Sequence, residues 1–247
     1  MVLRGVAARK PLVLTLLAAL LATVVLTFQL TDDAEGAFAR RCERFAEASS
    51  WRAQHDNQHD GDDGDDGSGD RVVVIGDSYS AGLRLDRPQE SWPARLPGHV
   101  HVDGFSGSGF SARASGCGPV SFADRAHRAL ADGADLVVVE GGLNDYDRTA
   151  AEITAGFLRL VRAVGDVPML VVGPPPAPLR GRHVARVDEI LRDLAARHDA
   201  TYLSMADVDL RYLDDGLHLT AGGHEEFGDL VAASVVQVVQ VEVADRR

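Results

Sequence analysis

The chain of 247 residues reads as an α/β protein: a doubly wound, flavodoxin-like parallel sheet of five strands behind an N-terminal transmembrane helix. Three observations predict this. Leu12 to Leu30 is a run of nineteen residues without a charge. From Arg71 onward, short apolar runs alternate with amphipathic stretches, as expected of a parallel sheet covered by helices on both faces. Small and polar blocks directly follow the apolar runs, and in open α/β sheets the binding crevice lies beyond the carboxyl ends of the strands.

The apolar run follows Arg4, Arg9 and Lys10 and precedes Asp32, Asp33 and Glu35. At ~1.5 Å per residue it reaches about 29 Å, enough to cross a hydrocarbon core. The basic flank keeps residues 1–11 in the cytoplasm and exports everything after Thr31. Cleavable apolar segments are typically shorter, and the nearest small-x-small triplet, Ala37-Phe38-Ala39, lies well downstream. An uncleaved signal anchor over 12–30 is therefore favoured, with a cleaved signal peptide as the alternative. Either way the remaining chain is expected outside the cytoplasm. The two cysteines, Cys42 and Cys117, suit such an oxidising compartment; one disulfide between them and a pair of free thiols are both open.

Residues 31–70 read as a stalk. Glu35 to Gln54 has the pattern of a short polar helix, and Asp56 to Asp70 then holds seven Asp with no Lys or Arg. So acidic and glycine-rich a tract cannot bury apolar surface and is expected to be a flexible linker rather than a calcium loop. These seven residues also supply most of the net charge of −12. No basic face remains that would suggest a nucleic-acid partner.

The domain is expected to span 71–247. Its strands are Val72 to Ile75, Val100 to Asp103, Leu136 to Glu140, Met169 to Val172 and Thr201 to Leu203. Helices are expected over Phe122 to Ala131, Ala150 to Val164, Arg182 to His198 and Ala221 to about Val238. His99 and His101 alternate along the second strand and are read as a surface edge rather than a metal site.

Four blocks carry chemistry. Val72 to Ile75 runs into Gly76-Asp77-Ser78, which puts Ser78 at a strand end, entering a helix, with backbone N–H groups free to face a developing oxyanion. The segment lacks the Gly-Lys-Ser/Thr ending of a phosphate loop. After the second strand comes Gly104-Phe105-Ser106-Gly107-Ser108-Gly109, where the amide of Gly107 can serve as an oxyanion donor; the spacing is not that of a dinucleotide fingerprint. Glu140-Gly141-Gly142-Leu143-Asn144-Asp145 follows the third strand, with Asn144 as a candidate donor and Asp145 as a brace for the loop. In Asp214-Asp215-Gly216-Leu217-His218, a carboxylate three residues before an imidazole can hold its Nδ1–H locally and leave Nε2 outward as a base. Tyr79, Glu140 and Tyr146, near the ends of these blocks, are read either as substrate contacts or as loop packing, and Pro174, Pro175, Pro176 and Pro178 as stiffening the loop after the fourth strand.

The four blocks, in this order, resemble those of the SGNH (GDSL-like) hydrolase family, over about Arg71 to Val238. The resemblance implies Ser78 as nucleophile, His218 as base and Asp215 as its orienting acid, with Ser78, Gly107 and Asn144 forming the oxyanion hole. It also implies a serine esterase acting on an acyl ester of a carbohydrate, lipid or small molecule, without metal or organic cofactor. Transfer of the acyl group to a cell-envelope glycan, and an inactive binding module of the same fold, are the alternatives. Two positions depart from the family pattern: Tyr79 stands where Leu is usual and Asp103 where Asn is frequent.

Overall fold

The structure, a computed structural model, describes residue 20, residues 34–55 and residues 69–245, with side chains as far as residue 240. Most of the expected anchor, 12–30, and most of the acidic linker lie outside the described residues. Among the described residues no helix is long and apolar enough to cross a membrane.

Helix α1 covers residues 34–54. Its part from Phe45 onward belongs to the same compact unit as everything downstream. There Phe45 meets the ring of Phe105 edge-on, 6.3 Å between centroids, and Ser49 and Arg52 are buried. Both Cys42 and Cys117 are disulfide-bonded, and neither is a free thiol.

Five parallel strands form one sheet in the order β2-β1-β3-β4-β5: β1 (Arg71–Gly76), β2 (His99–Gly104), β3 (Leu136–Glu140), β4 (Met169–Val172) and β5 (Thr201–Leu203). The order reverses at β1, which has β2 on one side and β3 on the other. Alternation along the strands sorts the core into two layers, because successive side chains point to opposite faces. Val73, Ile75, Val137, Val139 and Val171 pack against α2 (Phe122–Ala129), α3 (Ala150–Val164) and α4 (Gly181–Arg197). Val72, Val74, Val138, Leu170 and Val172 pack with Trp92, Phe227 and Val231 on the other face, where α5 (Ala221–Asp245) lies.

Helix starts follow capping chemistry. Ser121 and Asp124 form a reciprocal capping box at α2, and Thr149 and Glu152 do the same at α3, satisfying N–H groups that have no intrahelical partner. The helix expected directly after Ser78 does not form. Residues 78–84 are turns, with Ala81 N–H bonded to the Asp77 carbonyl at 3.0 Å and Leu83 N–H to that of Ser78 at 2.9 Å. Two short 3₁₀ turns follow, Pro88–Glu90 and Trp92–Arg95. Gly82 and Arg84, with φ of +70° and +73°, leave the right-handed helical region and end the turn.

Candidate active site

Strands β2, β1 and β3 end level. Gly76 is in register with Gly104 of β2 and with Glu140 of β3, so the loops carrying Ser78, Gly107 and Asn144 leave the sheet side by side at the topological switch point. Ser78 is 7% exposed.

The fourth block is a closed loop. An isolated antiparallel bridge pairs Tyr212 with Leu219, and Leu213 N–H donates to the His218 carbonyl at 2.8 Å. Inside it, Asp215 Oδ1 accepts the backbone N–H groups of Leu217 and His218, both at 2.9 Å, and Oδ2 lies 2.7 Å from His218 Nδ1. Arg84 Nη1 donates to the same Oδ2. Although partial burial pushes the Asp215 carboxyl up, the bonds from the His218 ring and backbone, Leu217 N–H and Arg84 together hold it well below the usual carboxylate range. Tyr79 joins this loop to the Ser78 turn: its hydroxyl donates to the Leu217 carbonyl at 2.5 Å, and its ring centroid is 6.4 Å from that of His218. Tyr79 is buried, so its place is in packing and in tying two loops together.

On the other side of Ser78 the polar groups are buried. Asp77 Oδ1 accepts Tyr79 N–H at 2.9 Å and Oδ2 accepts the Asn144 amide at 3.0 Å. The second Asn144 amide hydrogen goes to the Ser108 carbonyl at 2.9 Å. Asn144 is thereby fixed between the first and second blocks, and an oxyanion would have to share one of its two hydrogens. Burial, only partly offset by the Tyr79 N–H, pushes Asp77 up to about 7; the neighbouring Asp145 adds to the rise, while Arg125 and the Ser78 hydroxyl oppose it. Glu140 is likewise pushed well above its ordinary value, first by burial and then by Asp77. Its carboxylate accepts the Ser80 hydroxyl at 2.7 Å inside the core, away from any substrate.

Asp145 braces the glycine-rich loop as expected, accepting Phe110 N–H at 3.0 Å and Ser111 N–H at 2.8 Å. Burial still lifts it to about 6. Gly107 and Gly109 differ in their surroundings. A side chain on Gly109 would meet Asp145 Oδ2 at 2.4 Å, so Gly109 serves packing, whereas Gly107 has φ +83° and nothing within 4 Å of the position a Cβ would take. The Gly107 backbone therefore borders open space.

Several groups escaped the sequence reading because their partners are far away in the chain. Arg125, 3% exposed, forms a buried ion pair with Asp103 and donates to the Gly76 carbonyl at 2.8 Å and to Ser108 Oγ at 3.1 Å. It thus links the ends of β1 and β2 beneath the glycine-rich loop, and Asp103, at a position where the family often has Asn, supplies its counter-charge. His224 is a second imidazole near the site. Burial, and then the nearby His218, push it down to about 4, and its Nδ1 accepts Trp92 N–H at 3.3 Å, so it is neutral and structural. Among the described residues no group of three or more His, Cys, Asp or Glu is placed to hold a metal ion.

A serine at the carboxyl edge of a parallel sheet, and an imidazole held by a carboxylate on a loop that Tyr79 ties to the serine's turn, are the groups a serine ester hydrolase uses. The chain belongs to the GDSL-like lipase/acylhydrolase family, whose sequence profile matches residues 74–226. No protein of curated function matches the chain. Similar solved structures include an aryl esterase of Mycobacterium smegmatis, at 20% identity with a TM-score of 0.59, covering 68% of this chain and 99% of that one. Est24, a carbohydrate acetylesterase from Sinorhizobium meliloti, has 23% identity and a TM-score of 0.58 over 68% of this chain and 99% of its own. The psychrotrophic esterase EstA from a Pseudoalteromonas species has 16% identity and a TM-score of 0.56 over 69% and 99%. These likenesses show a shared fold.

Proposed function

We propose that the protein is an extracytoplasmic serine esterase that cleaves small acyl esters, such as acetyl groups on carbohydrate or aryl alcohols, the substrates named for two of its structural neighbours. The observation that carries the reading is the Asp215–His218 contact of 2.7 Å on a loop tied by Tyr79 to the Ser78 turn. In this scheme His218 takes the Ser78 proton, the serine oxygen attacks the ester carbonyl, and Asp215 stabilises the imidazolium. The N–H groups of Ser78 and Gly107 and the amide of Asn144 receive the oxyanion. His218 then protonates the leaving alcohol, and water, deprotonated by the same imidazole, releases the acid from the acyl-enzyme.

We further propose that residues 12–30 anchor the chain in the membrane, that 31–70 form the stalk and that the hydrolase domain lies outside the cytoplasm. Support comes from the uncharged run with its basic flank and from the oxidised state of both cysteines.

The test is hydrolysis of p-nitrophenyl acetate and butyrate by the full chain beside Ser78→Ala and His218→Ala. Turnover by the wild type with both variants at background is the expected result. A folded wild type that neither turns over nor labels with a fluorophosphonate would refute the esterase. Product analysis with and without an added glycan acceptor separates hydrolysis from acyl transfer.

A further inference from the structure

Arg84 stands six residues after the proposed nucleophile, at the end of the turn that carries it. Its backbone is left-handed, φ +73°, a conformation disfavoured for any residue with a Cβ and one that persists where the surrounding structure holds it, often at functional sites. The side chain is 53% exposed, yet it is directed onto Asp215 Oδ2, the oxygen that also faces His218 Nδ1. The nearby Arg87 pairs with Glu90 instead, so the Asp215 contact belongs to Arg84 among the cations of this turn.

We propose that Arg84 is a positioning residue of the reaction: by donating to Oδ2 of Asp215, the oxygen that also faces His218 Nδ1, it orients the carboxylate that holds the imidazole and shares its charge. The proposal rests on the triad reading above. A carboxylate with one cation already bound attracts a second one less, so the guanidinium competes with the imidazolium for the charge of Asp215. The other groups facing His218 leave that competition between Asp215 and Arg84. Tyr79, from the same turn, is a buried phenol raised by its burial, and His224, from α5, is neutral. Asp77 and Glu140 are buried carboxyls raised by that burial, and Tyr212, bridged to Leu219, is a phenol raised in the same way. Exposure of Arg84 makes its influence sensitive to salt, since ions screen charges at the surface.

The experiment compares the full chain with Arg84→Gln and Arg84→Lys by kcat/KM for p-nitrophenyl acetate from acidic to mildly alkaline pH. Arg84→Gln is expected to lower kcat and to move the acid limb to higher pH, the direction given by loss of a nearby like charge, with KM little changed. Arg84→Lys, which keeps the charge, should stay close to wild type. Raising salt to ~1 M, where the screening length is about 3 Å, should move the wild-type limb toward that of Arg84→Gln. An Arg84→Gln limb that coincides with wild type or moves to lower pH overturns the proposal. If Arg84→Gln does not fold, a wild-type limb indifferent to salt does so instead. Ser78→Ala in the same assay separates the two levels: activity retained there defeats the triad reading itself, whereas an inactive Ser78→Ala with an unmoved Arg84→Gln limb defeats only the role of Arg84.

Discussion

Asp77 lies within the Ser78 turn and Asp215 on the loop bonded to it, and the two carboxyls are shifted in opposite directions. Asp215, with its side chain 24% exposed, gathers two backbone N–H groups, a ring nitrogen and a guanidinium, and is held as an anion. Asp77, 1% exposed, takes one backbone N–H and one amide, shares its surroundings with Glu140 and Asp145, and is pushed up to about 7. Counter-charge governs the first and desolvation the second. In the proposed mechanism the imidazolium is thus met by a fixed anion. The oxyanion is met by neutral donors, beside carboxyls that burial raises above their ordinary values.

The strongest way to break this contrast is Asp215→Asn, which removes the anion and leaves the loop. By analogy with other serine triads, kcat should fall by about 10⁴-fold in a chain that still folds, with some lowering of the melting temperature from loss of the charge that Arg84 pairs, and a loss of kcat below ~10-fold would refute the role of the charge. Next in size is Arg125→Met, which removes the buried partner of Asp103 and leaves it only the exposed Arg128, 2.8 Å from its other oxygen. Breaking a buried ion pair costs about 3–5 kcal/mol, an upper bound here because Arg128 remains, so denaturant unfolding should shift to lower concentration; an unchanged midpoint would show that the Arg125 pair carries no stability. Asn144→Ala comes third, with a loss of ~100 to 1000-fold in kcat if the amide serves the oxyanion. Activity within a few-fold of wild type would assign Asn144 to holding Asp77 and Ser108 alone.

The smallest expected effect is on the pH dependence of stability. Asp77 binds a proton more tightly folded, about 7, than its ordinary 3.8, so the native state holds more protons than the unfolded state between those values. Stability should therefore fall as pH rises through that window. Asp215 has the opposite sign: its contribution is present above its ordinary 3.8 and is lost as the solution becomes strongly acidic. Thermal melts of Asp77→Asn across this range should show a flatter slope than wild type, and an identical slope would show that Asp77 does not titrate there.

How legible each part was in the sequence depends on how far apart its partners lie. The five strands follow their apolar runs, and α3 has the expected bounds because Thr149 with Glu152 opens it and Gly165, at φ +68°, closes it. Asp215 and His218 were readable as a pair because three residues in a turn bring them together locally. Asp77–Asn144, Arg84–Asp215 and Arg125–Asp103 were not, since each joins different elements and no local pattern announces it. The helix expected after Ser78 failed on backbone grounds, with two positive φ angles inside the turn. Helix α5 runs past its expected end near Val238 to Asp245, through residues with no Gly or Pro to stop it.

The all-parallel order of the sheet also shapes how the chain reaches this state. No two neighbouring strands are joined by a tight turn; β1 must find β2 across the residues from 77 to 98 and β3 across those from 77 to 135, α2 among them, pairing Val72 with Leu136. Each ladder begins with a large loop closure, an entropy cost met before the first strand contact rewards it. The loops closed in this way are the ones that carry Ser78 and Gly107, so both parts of the site come into existence only when the sheet does. A folding intermediate with formed helices but unpaired strands would have its hydroxyl and imidazole present in the chain and no active centre.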